Sequence, residues 1–204
     1  MQERTQERLL TALAALLAAT VLGLALFWQP AWEEVPLPRA APPSGGDFTL
    51  QSADGPVALQ DFRGRLTLIY FGYTYCPDIC PTSLAATAEG LRRLTPEEAA
   101  RVAMLFVSVD PARDTPARLK EYAQFFHPGI VGVTGDPAEL TAITRRYGAF
   151  YARQAVATAG DGYVVDHTAD TYVVGPDGRL LGRIAHATPP DEVAAALRNY
   201  LKQP

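Results

Sequence analysis

The chain has two cysteines, and both lie in one twelve-residue stretch, YFGYTYCPDICP, from Tyr70 to Pro81. Cys76 and Cys80 are separated by three residues, and each is followed directly by proline. Proline disfavours helical geometry in the residue before it, so both thiols are expected on a turn and neither inside a regular helix. Upstream, Leu66 to Phe71 is an apolar run rich in β-formers; downstream, Leu84, Ala88, Leu91 and Leu94 recur at helical spacing. The order is strand, turn, helix. Pro81 suits the first helical position, where its missing N–H costs nothing, which makes Cys80 the expected N-cap. A thiolate there gains from the unpaired N–H groups and the helix dipole, so at least one of the two sulfurs should ionise more readily than a free cysteine.

A structural disulfide is the plainer use for such a pair. Closing a loop of about five residues constrains the unfolded chain by only about 2 kcal/mol, against about 4.7 kcal/mol for a loop of about a hundred. A staple here would hold little, so a reversible dithiol or a soft-metal site is favoured. The spacing does not choose between them, and it is one residue longer than the C-x-x-C of thioredoxin-type redox motifs.

A chain of 204 residues accommodates one ordinary domain with attachments. Its formal net charge is −4 and its basic residues are scattered, so no nucleic-acid partner is expected. From Leu9 to Trp28 there is no charge, and the only polar side chains are Thr11 and Thr20. About twenty helical residues span about 30 Å, the thickness of a hydrocarbon core. Residues 1–28 are therefore read as a short cytoplasmic tail and a single transmembrane helix. No small-x-small cleavage site follows, since Gln29-Pro30-Ala31 fails at its first position, so the segment is expected to remain as an anchor. Arg4 and Arg8 before the span, with Trp28 and Trp32 at its far edge, set the domain on the extracytoplasmic side of the inner membrane. Residues 29–46 carry five prolines and no apolar period, which suits an extended spacer reaching as far as roughly 50 Å.

Residues 47–204 read as the folded domain. Phe48 and Leu50, then Val57 and Leu59, flank Asp54-Gly55 as a hairpin. Thr95 and Glu98 stand at capping-box spacing. A strand is expected over Val102 to Val109, helices from Pro116 and Pro137, and a short strand over Gly129 to Val133. Ala149 to Asp166 shows no clear period and is read as a long connection, which in a compact domain is more often functional than not. Thr171 to Val174 and Leu180 to Ile184 flank Gly175-Pro176-Asp177-Gly178 as a second hairpin, and a last helix follows Thr188-Pro189-Pro190. Strands alternating with helices predict an α/β sheet covered on both faces.

Three separated stretches, YFGYTYCPDICPTSL from Tyr70, VSVDPARDTP from Val107 and VDHTADTYVVGPDG from Val165, together resemble the Sco/SenC family of copper chaperones. The likeness runs from about Asp47 to the C-terminus, with the motifs in family order. It implies a thioredoxin-like fold and a role in assembling the dinuclear copper centre of cytochrome c oxidase. It further implies copper, as Cu(I) or Cu(II), bound by two cysteines and a distant histidine, which fall here on Cys76, Cys80 and His167. The implied partners are the copper-site subunit of the oxidase and a periplasmic copper donor or thiol reductant.

The residues themselves rank the three histidines in the same way. Ligands of open α/β sheets bind outside the carboxyl ends of the parallel strands. His127 precedes a parallel strand and so falls at the opposite edge, as a structural residue. His167 leads into Thr171 to Val174, a strand that in a thioredoxin-like order runs antiparallel to the cysteine strand and starts beside the thiols. His186 follows the last strand and could reach the same edge, but from one strand further out. Asp78, between the cysteines, and Asp166 are candidate partners for a ligating imidazole, which usually donates its second nitrogen to an acceptor. Turn and capping roles account for Asp110 and Asp114, and Tyr75 is read as packing or loop surface. Two functions remain: a copper chaperone, or a thiol-disulfide oxidoreductase with Cys76 and Cys80 as its redox dithiol. A peroxidase-like site is disfavoured, because it needs one peroxidatic cysteine with a Thr and an Arg nearby, and sequence does not locate Arg63 or Arg113 relative to the thiols.

Overall fold

The computed structural model describes residues 2–27, 42–156 and 162–203. Trp28, Trp32, the spacer over 29–41 and residues 157–161 of the long connection lie outside them. The chain forms two units that divide between Ala41 and Pro42. The first contains helix α1, Gln2–Phe27, and its segment Gln6–Leu26 is long and apolar enough to cross a membrane.

The second unit begins with a hairpin of β1 (Thr49–Ser52) and β2 (Gly55–Ala58), followed by a short 3-10 turn. Next come β3 (Leu66–Gly72), α2 (Ile79–Arg92), the five-residue α3 (Pro96–Ala100), β4 (Val102–Ser108), α4 (Pro116–Phe126), β5 (Ile130–Val133) and α5 (Pro137–Tyr147). Thr95 and Glu98 close the expected capping box on α3, and Thr115 caps α4 and Asp136 caps α5. The chain ends with β6 (Tyr151–Ala155), β7 (Tyr163–His167), β8 (Thr171–Val174), β9 (Leu180–Ile184) and α6 (Pro190–Leu201).

The main sheet has the order β5-β4-β3-β8-β9. β3, β4 and β5 are parallel, while β8 runs antiparallel to β3 and β9 to β8. Every residue of β3 and β4 is buried, as in strands covered on both faces. The two faces can be told apart at Tyr70 and Phe71, whose side chains point oppositely. Tyr70 stacks on Phe106, which meets Tyr122 of α4, whereas Phe71 meets Tyr147 of α5. Helices therefore cover both faces, and α6 packs along α2 where Gly90 lets Val193 approach. This is the expected thioredoxin-like architecture.

Two boundaries differ from the sequence reading. Residues 42–46, assigned to the spacer on their prolines, are built into the domain: Ser44 and Gly45 donate backbone N–H groups to the Arg146 carbonyl, and Tyr147 Oη donates to the Gly46 carbonyl. Much of Ala149 to Asp166, read as a connection, is the antiparallel hairpin β6–β7. That hairpin forms its own two-stranded sheet and keeps Arg153, Gln154 and Ala155 exposed, so no regular apolar alternation marks it.

Candidate metal centre

The register of the sheet creates the site. Tyr70, near the C-terminal end of β3, pairs with Thr171, the first residue of β8. The turn after β3 carries the cysteines, and the turn before β8 carries His167. The ligating atoms of Cys76, Cys80 and His167 lie within 4.8 Å of one another, and Cys80 Sγ is 3.2 Å from His167 Nε2. His186 and His127 do not join them. His186 Nδ1 meets Ser83 Oγ at 2.7 Å, and His127 Nδ1 accepts the Gly129 N–H.

The cysteine turn differs in detail from the expectation. Helix α2 starts at Ile79 with Asp78 as N-cap, so Cys80 is the second helical residue and not the cap. Pro81 tolerates this because N–H groups in the first turn have no intrahelical acceptor to lose. One of those N–H groups, that of Cys80, points back to Cys76 Sγ at 3.4 Å. The helix N-terminus thus serves the half-buried Cys76, while Cys80 is fully buried. The Cys76 thiol is pulled well below its ordinary value, first by the hydrogen bond from the Cys80 thiol and then by His167 and the N–H groups of Cys80 and Asp78, against the cost of partial burial. Burial pushes the Cys80 thiol up, and the hydrogen bond and negative charge of Cys76 add to it. One thiolate and one thiol therefore share the site.

His167 is held from several sides. Its Nδ1 donates to the Thr168 carbonyl at 3.0 Å, which fixes the tautomer and turns the Nε2 lone pair toward the sulfurs. Tyr70 and Tyr73 meet the imidazole edge-on, with ring centroids 6.1 and 5.8 Å away. The acceptor expected from Asp78 or Asp166 is thus supplied by backbone. Asp78 instead stands at the N-cap position of α2 without a side-chain capping bond, and its carboxylate accepts from Thr82 Oγ1 at 3.3 Å. An open cleft of about 510 Å³, bounded by Tyr73, Cys76, Pro77, Ile79 and Val164 to His167, leads to the half-buried sulfur.

Asp110 and Asp114 do more than the turn and capping roles expected of them. Asp114, 1% exposed, accepts from the backbone N–H and hydroxyl of Thr74 and from Ser108 Oγ at 2.9, 2.5 and 2.6 Å, tying the cysteine turn to the end of β4. Asp110, fully buried, accepts from Arg113 Nε, Arg153 Nη2 and Tyr163 Oη at 2.5, 3.1 and 2.8 Å, tying down the hairpin that ends in His167. The Arg113 guanidinium lies 3.8 Å from the centroid of the Tyr163 ring and 4.8 Å from that of Tyr75. Two aspartates just past the carboxyl end of a parallel strand were the available signal.

The family model described as SCO1/SenC matches residues 37–202. A SCO2-like protein of Rickettsia conorii is 38% identical over 156 residues, 76% of this chain and 76% of its own length. The structure of Bradyrhizobium japonicum ScoI with copper bound is 41% identical, with a TM-score of 0.68, covering 76% of this chain and 98% of that one. Yeast Sco1 with copper bound is 31% identical, with a TM-score of 0.72, covering 80% and 91%. Sequence motifs, sheet order and these matches agree over most of the length, and the chain belongs to the SCO1/SenC family.

Proposed function

We propose that this protein is a membrane-anchored copper chaperone that holds one copper ion at Cys76, Cys80 and His167 and delivers it in assembly of the dinuclear copper centre of cytochrome c oxidase. The observation that carries this reading is the convergence of two sulfurs and one imidazole nitrogen within 4.8 Å, from residues about ninety positions apart. Thiolates with an imidazole form a soft donor set suited to Cu(I). The three donor atoms are close enough together that one ion could be held by all of them. Pairing of β8 with β3 and the anchoring of the β6–β7 hairpin bring the third ligand to the other two. The apolar segment Gln6–Leu26 supports a single-pass anchor in the inner membrane, with the domain on the extracytoplasmic side facing the copper-site subunit of the oxidase and a periplasmic copper donor.

One feature favours a second role. Cys76 is accessible and easily ionised, whereas Cys80 is buried behind it, the arrangement of an attacking and a resolving thiol. In that reaction Cys76 attacks a partner disulfide, Cys80 displaces the partner's second thiol, and a Cys76–Cys80 disulfide forms as the partner's disulfide is reduced to two thiols. Titrating the reduced full-length protein in detergent with Cu(I) under a competing chelator tests the first reading. One tightly bound ion is expected, lost in Cys76→Ser and Cys80→Ser and greatly weakened in His167→Ala. His167→Ala should still reduce a model disulfide at a comparable rate. Unchanged copper affinity in either serine variant refutes the chaperone reading.

A further inference from the structure

Tyr70 is completely buried, and among the described residues its hydroxyl has no hydrogen-bond partner. A buried, unpaired hydroxyl costs about 1–3 kcal/mol, so its presence in the core calls for a reason. Bulk is not that reason, since the adjoining Phe71 and Phe106 fill comparable space without an oxygen. The surroundings supply one. A Cβ built on Gly72 would meet Cys80 Sγ at 2.7 Å and Tyr70 Cε1 at 2.9 Å, so the sulfur and the phenol ring crowd the same glycine. Cys80 and Ser83 are the polar neighbours of the hydroxyl, and Ser83 Oγ is already engaged by His186 Nδ1 at 2.7 Å. The His186 ring is carried next to Ala187, the one described non-glycine residue in the left-handed region, at φ 58°. Ser83 thus offers the phenol only a neutral hydroxyl, whereas Cys80 becomes a charged acceptor once it is a thiolate.

We propose that Tyr70 is a positioning residue for the copper site, whose hydroxyl donates a hydrogen bond to Cys80 Sγ once that sulfur is a metal-bound thiolate. The inference rests on the copper reading above. A thiol is a weak acceptor, and a charged acceptor makes a bond roughly twice as strong as a neutral one. The hydroxyl therefore gains a strong acceptor when copper binding converts the Cys80 thiol to a thiolate. The same bond draws electron density from the sulfur, which weakens its donation to Cu(II) more than to Cu(I) and favours the reduced ion.

The test compares copper-loaded, full-length wild type, Tyr70→Phe and protein carrying 3-fluorotyrosine at position 70, by the Cu(II)/Cu(I) potential and the sulfur-to-Cu(II) charge-transfer band. Tyr70→Phe should lower the preference for Cu(I) about tenfold, equivalent to ~59 mV for a one-electron couple, and move the band to longer wavelength. The fluorinated phenol, a stronger donor, should shift both in the opposite sense, and it does so even if Tyr70→Phe fails to fold. Ser83→Ala, which touches the hydroxyl's other neighbour, should leave the potential at or above that of wild type. A potential and band unmoved by both changes at position 70 overturn this inference alone. Absence of tight Cu(I) binding by wild type under a competing chelator refutes the copper reading, and this inference with it.

Discussion

The division of labour between the two sulfurs leads to a pH prediction. Cys76 is held to a pKa of about 3, first by the hydrogen bond from the Cys80 thiol, with contributions from His167 and two backbone N–H groups. Its thiolate population is therefore nearly complete throughout the range from about pH 5 to 8. An unperturbed thiol, with a pKa near 8.5, gains roughly tenfold in thiolate per pH unit over that range, or about three orders of magnitude in all. Reduced full-length protein treated with iodoacetamide and mapped by mass spectrometry should be alkylated at Cys76 at a rate that changes less than about twofold across the window. Cys80, fully buried, should remain unlabelled until the protein unfolds. The sign of the linked stability follows. A pKa depressed by folding adds stability that is complete above the unfolded value near 8.5, declines with each unit below it and is gone near the folded value of about 3. The difference in Tm between wild type and Cys76→Ser, both reduced and metal-free, should therefore shrink as the pH is lowered. A Cys76 alkylation rate that rises tenfold per pH unit would refute the assignment of the thiolate to this sulfur.

Asp114→Ala leaves two donors of Thr74 and one of Ser108 without their buried acceptor, and with partial relaxation should cost about 3–5 kcal/mol, or about 10–15 °C in Tm. Calorimetry of this variant beside Asp54→Ala, which deletes only an exposed pair with Lys120 and should change stability by less than about 0.5 kcal/mol, checks whether burial of the network is what matters. Full-length protein should stay in the membrane fraction after high-salt and alkaline washing, because a 21-residue apolar helix is not a peripheral anchor. Release as a shortened soluble species would show that the segment is a cleaved signal.

Local sequence patterns fix whatever depends on neighbours within a few residues. The apolar runs of β3 and β4, the capping box at Thr95 and Glu98, the helix starts at Pro116 and Pro137, and the helical spacing after Cys80 all appear in the structure where local patterns put them. The order of these elements, with the family motifs, is enough for the thioredoxin-like fold and for placing His167, in preference to His186 and His127, beside the thiols. Helix α2 starts two residues before Pro81, because a proline in the first turn has no intrahelical hydrogen bond to lose and the steric bias on the residue before it is a preference, not a bar.

Tertiary structure decided the groups whose partners are remote in sequence. Asp110 and Asp114 look like turn residues until Tyr163, 53 positions away, and Thr74, 40 positions away, are brought against them. The β6–β7 hairpin carries no strand signature because three consecutive residues of β6, Arg153 to Ala155, are exposed, and Asp110 and Arg113 hold it by polar contacts. The sequence also could not say which cysteine is the thiolate. That follows from the depth of each sulfur and from the direction of one backbone N–H at the start of a helix, and burial and direction exist only once the chain has folded.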